Sequence, residues 1–467
     1  MPQGSPLSPI LFLLFISGLL DVLDRASNLH DINAECYPFG YVDDHYLMRM
    51  TEVMKSWADE NKVVFNPKKY VVMHFRRPRS RDKRSHERNA LREKRSKGRA
   101  KSSKGGPKHD NDDDDDDDEP TTFSPISDEI PRIDGVTRES LKTEVRVLGI
   151  IVDDELSWNA HVNNLVSRVH GKMRTMWRME GATLGISLVH MRQWYLTTVR
   201  PIITYGCQAW FLPPAEKNLK WRLTQKLMAQ LESLQYQCLL QVSGAMRNTS
   251  RHMLLQELGL SSLEVYMTSL VMKHAAYMIN TPENSEPERI RKLPMEEWLL
   301  LKFRGSNGGL GRKQTKKAIS HYFSRMEVAQ ASSEWAVYAK AHQHIKQPLY
   351  KEDWSGKNFQ LYKGIDRRTS TMLLHCRTNC IGLRWHLHKR FKITNDEVPD
   401  EKCPCGGGPH TPHHLFVECA NLAEARVQLK AQLNGRLDTS TLWTFLGRAK
   451  PAAVLSQWAI ENFAGEP

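Results

Sequence analysis

The sequence predicts an α+β chain with a small sheet-containing N-terminal part, a helical middle and a small C-terminal metal knuckle. Two adjacent aspartates, Asp43 and Asp44, lie between residues that favour strands. From Leu156 onward, apolar residues recur every three or four positions, which is the spacing of an amphipathic helix. Three cysteines cluster with histidines near the C-terminus. These patterns divide the 467 residues into regions of different chemistry.

The aspartate pair is a candidate metal site. On a straight strand Asp43 and Asp44 would point to opposite faces, but at the tip of a hairpin both can converge on one pair of metal ions. The residues at 41–42 and 46–48 are strand formers or apolar, which predicts such a hairpin. Paired carboxylates can hold the two divalent ions that nucleotidyl transfer needs. The pair alone is weak evidence, because aspartate is common in solvated turns.

Four motifs follow one another along the first 161 residues. They are Pro2–Phe12, Tyr41–Asp44, Ala58–Lys69 with Val71–Phe75, and Val147–Asp153 with Leu156–His161. Their order and the Leu-Ser-Trp-x-x-His ending resemble the reverse transcriptases of LINE-type (non-LTR) retrotransposons of the I-clade. The resemblance implies a partial polymerase palm, a helical thumb and connection, and RNA-directed DNA synthesis with Mg²⁺ on an RNA template and a DNA primer.

The resemblance also implies roles for single residues. Asp43 and Asp44 would be catalytic Mg²⁺ ligands, and Lys69 would assist the triphosphate as a cation or proton donor. An ordinary surface lysine is the alternative for Lys69. The residues implied to contact template, primer or nucleotide in these motifs are Gln3, Gly4, Tyr41, Leu148 and Gly149.

The match also departs from the family. Its first catalytic aspartate and its fingers precede the Pro-Gln-Gly motif, which here begins at Pro2. A two-metal site with two of three carboxylates should bind its ions poorly, so we expect this chain alone to be an inactive polymerase fragment. No ribonuclease H motif is recognisable between Arg247 and Arg367, so we do not predict RNA-strand hydrolysis.

The net charge of +13 and pI near 9.3 favour a polyanionic partner; ordinary surface charge is the alternative. The apolar run Ile10–Leu20 is too short to cross a bilayer and no Lys or Arg precedes it, so we expect a buried helix and no membrane partner.

Eight cysteines, three of them clustered, suggest reduced thiols and a metal site. We expect an intracellular, nuclear or cytoplasmic ribonucleoprotein rather than a secreted protein.

Composition suggests the domain boundaries. A basic stretch followed by seven aspartates, without apolar periodicity, predicts a disordered insertion. The basic half could be a nuclear-import signal or bind RNA. The expected segments are a partial palm (1–75), the insertion (76–120), the primer grip and start of the thumb (121–180), a helical thumb and connection (181–304), a linker (305–317), a basic helical segment (318–399), a zinc knuckle (400–422) and a helical tail (423–467).

The C-terminal cysteines predict a structural zinc site. Cys403, Cys405, His414 and Cys419 offer three thiolates and one imidazole, which together fill a tetrahedral zinc sphere. His410 and His413 are rival ligands, and unbound buried cysteines are the alternative reading. We prefer His414 because it begins the apolar run that leads to Cys419.

The segment before the cysteines is rich in cations. Arg377, Arg384, Lys389 and Arg390 accompany Trp385, which offers a stacking ring for single-stranded RNA or DNA. This segment and the cysteine cluster resemble the terminal module of the same retrotransposons. The main functional hypothesis is therefore a reverse-transcriptase fragment; the alternative is a non-catalytic zinc-knuckle protein, a remnant that binds nucleic acid.

Overall fold

The computed structural model describes residues 44–66, 69–75, 135–177, 185–213, 223–280, 312–342, 348–354, 356–395, 398–435 and 437–463. The chain forms two compact units, residues 1–160 and 161–467. The described residues are mostly helical, with one two-stranded antiparallel sheet, which agrees with the α+β class at that coarse level. The unit boundary falls inside the segment 121–180, which the sequence predicts as one piece.

In the first unit, helix α1 spans Asp44–Glu60. The predicted hairpin around the aspartate pair is therefore wrong on its C-terminal side, since residues 46–48 are helical. The reason is the longer pattern: apolar side chains recur at helical spacing from Leu47 to Trp57, and Trp57 and Ala58 are buried. A three-residue apolar run fits a strand or a helix equally well.

The sheet of this unit is a hairpin of β1 (Glu144–Val147) and β2 (Ile150–Asp153). Leu148 and Gly149 form its two-residue turn, with φ of 48° and 93°, and positive φ at both positions matches the right-handed twist of the strands. The Leu148 side chain is 87% exposed. The turn that the family resemblance assigns to the primer grip is thus exposed to solvent, and that assignment stays a prediction.

Asp153 shapes the turn after the hairpin. Its carboxylate accepts the backbone N–H of Ser157 at 2.7 Å and of Trp158 at 2.9 Å. Asp153 and Trp158 are both buried, and Trp158 has a left-handed φ of 64°. The carboxylate oxygens accept from backbone N–H groups of this turn, which lie outside any helix and so have no helical hydrogen-bond partner.

The second unit is a helical assembly. Apolar stripes predicted from the sequence are confirmed as buried faces of α2, α3 and α6. A π-helical turn, Tyr195–Val199, joins α3 to α4. The α-helices are α2 (Asn159–Trp177, all but its first two residues in this unit), α3 (Leu188–Trp194), α4 (Arg200–Ile203), α5 (Cys207–Trp210), α6 (Gln225–Ser243), α7 (Arg251–Leu258), α8 (Leu263–Asn280), α9 (Arg312–Ala341), α10 (Arg367–Thr378), α11 (Arg384–Phe391), α12 (Pro412–Val417), α13 (Ala423–Gln432), α14 (Leu442–Leu446) and α15 (Ala449–Phe463).

Two further boundaries differ from the expectation. Helix α9 begins at Arg312, inside the predicted linker 305–317, and Ile319 and Phe323 pack it against α8. The C-terminal residues are helical as predicted, but α15 packs along α10 and so belongs to the body of the unit. Among the described residues, no helix is long and apolar enough to cross a membrane.

Side chains of helix α10 contact the free carbonyl groups at the C-terminal end of helix α6. The Arg367 guanidinium donates to the carbonyls of Val242 at 2.6 Å and Gln241 at 3.3 Å, and Nε2 of His375 lies 2.9 Å from the carbonyl of Gly244. These carbonyls have no partner within their own helix, and a cation there is favoured by the helix dipole. Gly244 has a φ of 70°, and a Cβ there would lie 3.1 Å from Arg367. A larger residue at 244 would be strained by this φ and would crowd the Arg367 side chain.

A buried ion pair joins α10 to α7. Nε and Nη2 of Arg377 each donate to a carboxylate oxygen of Glu257 at 2.8 Å, and the side chains are 3% and 0% exposed. Nη2 also lies 2.7 Å from Glu352, and Nη1 donates to the carbonyl of Leu446 at 3.0 Å. The Tyr362 hydroxyl donates to Glu257 at 2.5 Å. The network links five segments of the chain around one guanidinium.

Breaking this pair should destabilise the protein strongly. In Glu257→Ala the Arg377 charge stays buried without its main partner, a change that costs about 3–5 kcal/mol. Chemical denaturation measures the free energy of unfolding. Glu461→Ala, at an exposed position of α15, is the control, and it should change stability by less than about 0.5 kcal/mol. A Glu257→Ala protein as stable as the control would contradict this role.

Two buried histidines and one half-buried histidine should make the fold sensitive to acid. Burial, together with a nearby arginine in each case, lowers the pKa values of His161, His252 and His386 to about 4. The unfolded chain, with histidine pKa near 6.5, then binds more protons between pH 6.5 and 4. The contribution of these neutral histidines to the free energy of unfolding should be fully present above pH 6.5. It should be lost progressively as the pH falls towards 4.

His161→Phe tests the sign of this effect. The variant keeps a ring against Trp210, 5.1 Å away, but cannot bind a proton. Unfolding free energies at pH 7 and pH 5, with EDTA in both buffers, should differ less in the variant than in the wild type, by on the order of 1 kcal/mol. Equal pH dependence in both proteins would contradict the prediction.

Candidate metal centre

A tight loop brings the first two cysteines together. Lys402 and Pro409 form an antiparallel bridge, and the N–H of Cys403 donates to the Gly408 carbonyl at 2.8 Å. At the tip, the N–H of Gly406 donates back to the Cys403 carbonyl at 2.9 Å. Gly406 has a φ of 74°, a conformation that glycine adopts without strain. The loop therefore places the side chains of Cys403 and Cys405 near one point.

Helix α12 supplies the histidine. Thr411 caps it by accepting the N–H of His414 at 3.3 Å, and Pro412 occupies the first turn, as is usual for a short capped helix. After the helix, the N–H of Cys419 donates to the His414 carbonyl at 2.8 Å. His414 and Cys419 therefore lie on adjacent turns of chain and face the same loop.

The four predicted ligands converge. The ligand atoms of Cys403, Cys405, His414 and Cys419 all lie within 4.8 Å of one another, the one such group among the described residues. The sulfurs of Cys403 and Cys419 are 3.8 Å apart, and Nε2 of His414 is 3.1 Å from the Cys405 sulfur. Zinc–sulfur bonds of ~2.3 Å in a tetrahedron put two sulfurs ~3.8 Å apart. The cluster could hold a metal ion such as zinc.

The thiols differ in their surroundings. The N–H of Gly407, 3.3 Å from the sulfur, and the His414 ring lower the pKa of Cys405 to about 6. Burial raises the pKa of Cys403, because a thiolate there would lose its hydration. A bound cation would offset that cost for the buried thiolates. Metal binding at neutral pH should therefore release protons.

The structure separates the three candidate histidines. His414 is 2% exposed and is in the cluster, as predicted. His410 is also buried, but its Nδ1 lies 3.3 Å from the backbone N–H of Arg384, at the start of α11. His413 is outside the cluster, with its Nδ1 3.7 Å from Glu418. His410 therefore acts as a contact to α11.

The knuckle packs firmly on the rest of the unit. Phe416, between His414 and Cys419, is fully buried and lies 5.4 Å from the ring of Trp458 and 5.1 Å from that of Phe463. The predicted segment 400–422 is thus part of a larger core that includes α15. A metal in the loop would hold Phe416 in that core.

The loop also contacts helix α11, which carries a basic surface. Besides the bond from Arg384 to His410, Glu401 lies 2.8 Å from Nζ of Lys389. The side chains at the C-terminal end of α11 and just beyond it are exposed: Lys389, Arg390, Phe391, Lys392 and Ile393. The metal loop and a cationic surface with an exposed aromatic ring are therefore adjacent.

Two predicted nucleic-acid contacts need correction or qualification. Arg377 lies in the buried ion pair with Glu257, so the expectation that it binds nucleic acid is wrong. Trp385 is only partly exposed. Phe391, 40% exposed, was not predicted, although an aromatic residue directly after Lys389 and Arg390 was a visible signal.

The predicted palm residues are mostly outside the described residues. Gln3, Gly4, Tyr41 and Asp43 fall there, as does the whole insertion 76–120. Asp44 is described only as the first residue of α1, and Lys69 is exposed. The magnesium site therefore stays a prediction.

Comparisons with protein-family models, with curated proteins and with solved structures found no match for this chain. The metal cluster and the basic surface beside it are therefore the firmest guides to function.

Proposed function

We propose that this chain binds single-stranded nucleic acid through a zinc-stabilised module made of residues 400–419 and helix α11. The convergence of three thiols and one imidazole beside a basic helix carries the proposal. The pI near 9.3 supports a polyanionic partner.

The metal in this proposal is structural zinc. Thiolate and imidazole ligands suit zinc, and four protein ligands leave no open position for a substrate or water. When bound, zinc would supply cross-links between the loop and α12, and no catalytic chemistry. The chain's own residues then form the binding surface.

The surface of α11 has the chemistry that single strands require. Lys389, Arg390 and Lys392 offer cations to phosphates, and the exposed Phe391 ring offers a face on which a base can stack. Glu401, in the metal loop, forms an ion pair with Lys389 and offsets part of its positive charge. The loop thus fixes the helix that carries the cations, so loss of zinc should weaken binding.

The zinc site predicts one zinc per chain. Serine in place of Cys403, Cys405 or Cys419 should abolish stoichiometric zinc and loosen residues 400–419, because zinc binding and folding of such loops are linked. His414→Ala should be more damaging than His410→Ala or His413→Ala. Elemental analysis and chelator titration measure zinc content and affinity. Zinc retained after two cysteines are replaced would rule out the site.

The basic surface predicts salt-dependent binding. Replacing Lys389 and Arg390 by Ala should weaken binding to an oligo(dT) or oligo(U) strand and lower the salt slope, because fewer counterions are released. Phe391→Ala should weaken binding by about 1–3 kcal/mol with little change in the slope. Fluorescence anisotropy at several salt concentrations checks this. Arg377→Lys should leave the salt slope unchanged. An altered slope would indicate that Arg377 contacts nucleic acid after all.

A wider proposal is that the chain is a fragment of a non-LTR retrotransposon reverse transcriptase. Four motifs in family order support it, and the exposed Leu148–Gly149 turn lies in the stretch that resembles the primer grip. In this proposal the partners are an RNA template and a DNA primer, Asp43 and Asp44 bind Mg²⁺, and the protein acts in a nuclear or cytoplasmic ribonucleoprotein.

Primer extension tests the catalytic part of this proposal. The purified chain should bind Mg²⁺ weakly, in a manner that depends on Asp43 and Asp44, and should extend a primer on RNA only near background. Robust extension that Asp43→Asn abolishes would contradict the expected inactivity while supporting the family. Unchanged Mg²⁺ binding in Asp43→Asn would count against the palm site itself.

A further inference from the structure

The imidazole of His414 lies between two polar groups. Its Nε2 is 3.1 Å from the Cys405 sulfur, on the side of the cluster. Its Nδ1 is 3.2 Å from Oε2 of Glu418, four residues further along the chain. The two ring nitrogens therefore meet different partners.

We propose that Glu418 is a positioning residue for the metal centre, which holds His414 with its proton on Nδ1 and its Nε2 lone pair towards the metal. This inference rests on the zinc site of the proposed function. A neutral imidazole has one donor and one acceptor nitrogen, and an ionised carboxylate can only accept. The contact with Glu418 therefore favours the tautomer in which Nε2 is the ligand atom.

The contact with Glu418 also distinguishes His414 from His413. The His413 Nδ1 lies 3.7 Å from Oε1 of Glu418, too far for a good hydrogen bond. The His413 side chain is 29% exposed, whereas that of His414 is 2% exposed. The carboxylate thus orients the buried ring.

Gly408 leaves room for the ring on another side. A Cβ at this position would lie 3.0 Å from Nδ1 of His414, closer than side chains normally approach. A larger residue at 408 would therefore crowd the nitrogen that Glu418 contacts.

The expected effect is moderate. Loss of an outer-shell partner of a metal-bound histidine weakens metal binding by about 10–100-fold. The Glu418 side chain is 50% exposed, so water can replace part of its contact. We therefore expect the lower end, about tenfold.

Zinc affinity of the full chain, measured by competition with a chromophoric chelator, tests the proposal. Glu418→Ala should bind zinc about tenfold more weakly than the wild type. Glu418→Gln, which keeps an acceptor oxygen without the charge, should fall between them. Glu424→Ala, exposed on α13, is the matched control and should bind like the wild type.

Nitrogen NMR of the zinc-loaded protein gives a readout that general destabilisation would not change. The His414 ring should bind zinc through Nε2 and carry a slowly exchanging proton on Nδ1 in the wild type, and that proton should exchange faster with water in Glu418→Ala. Unchanged zinc affinity and unchanged exchange of the Nδ1 proton in Glu418→Ala would overturn this inference alone. A wild type that binds no zinc would overturn the metal centre and, with it, this role.

Discussion

The buried pair between Arg377 and Glu257 is the contact on which the second unit depends. A guanidinium at 3% exposure would be costly without the two oxygens that it meets at 2.8 Å. Through this pair α10 is held to α7, and α10 in turn packs along α15 and caps α6. Helix α11 and the metal loop follow α10 directly in the chain. The ion pair therefore helps to position the candidate site, although neither of its residues belongs to the cysteine cluster.

The metal cluster is the part of the site that the sequence predicts best. Ligand type and spacing are local properties, and a Cys-x-Cys turn with glycines at 406–408 leaves few other arrangements. The structure places His414, and neither of the two neighbouring histidines, in the cluster, and the apolar run that it begins becomes the buried face of α12. Helical periodicity was equally reliable for α2 and α6, whose stripes are long enough to distinguish a helix from a strand.

What the sequence could not predict depends on distant partners. Arg377 looked like a nucleic-acid contact because it lies among cations, but its partner Glu257 is 120 residues away. The short run at 46–48 fits either a strand or a helix, and only its continuation to Trp57 decides between them. Helix α9 begins in a polar stretch without periodicity and is held by Ile319 and Phe323 further on. In each case the structure is decided by residues outside the short pattern on which the prediction was based.

We propose that three thiolates and one imidazole hold zinc and thereby organise the basic helix α11. X-ray absorption at the zinc edge of the zinc-loaded protein tests it most directly, because the spectrum identifies the atoms bound to the metal. We expect three sulfurs at ~2.3 Å and one nitrogen at ~2.0 Å from the zinc, and no zinc signal above background in Cys405→Ser. A first shell of oxygen and nitrogen alone, or a spectrum that the cysteine variant leaves unchanged, would contradict it.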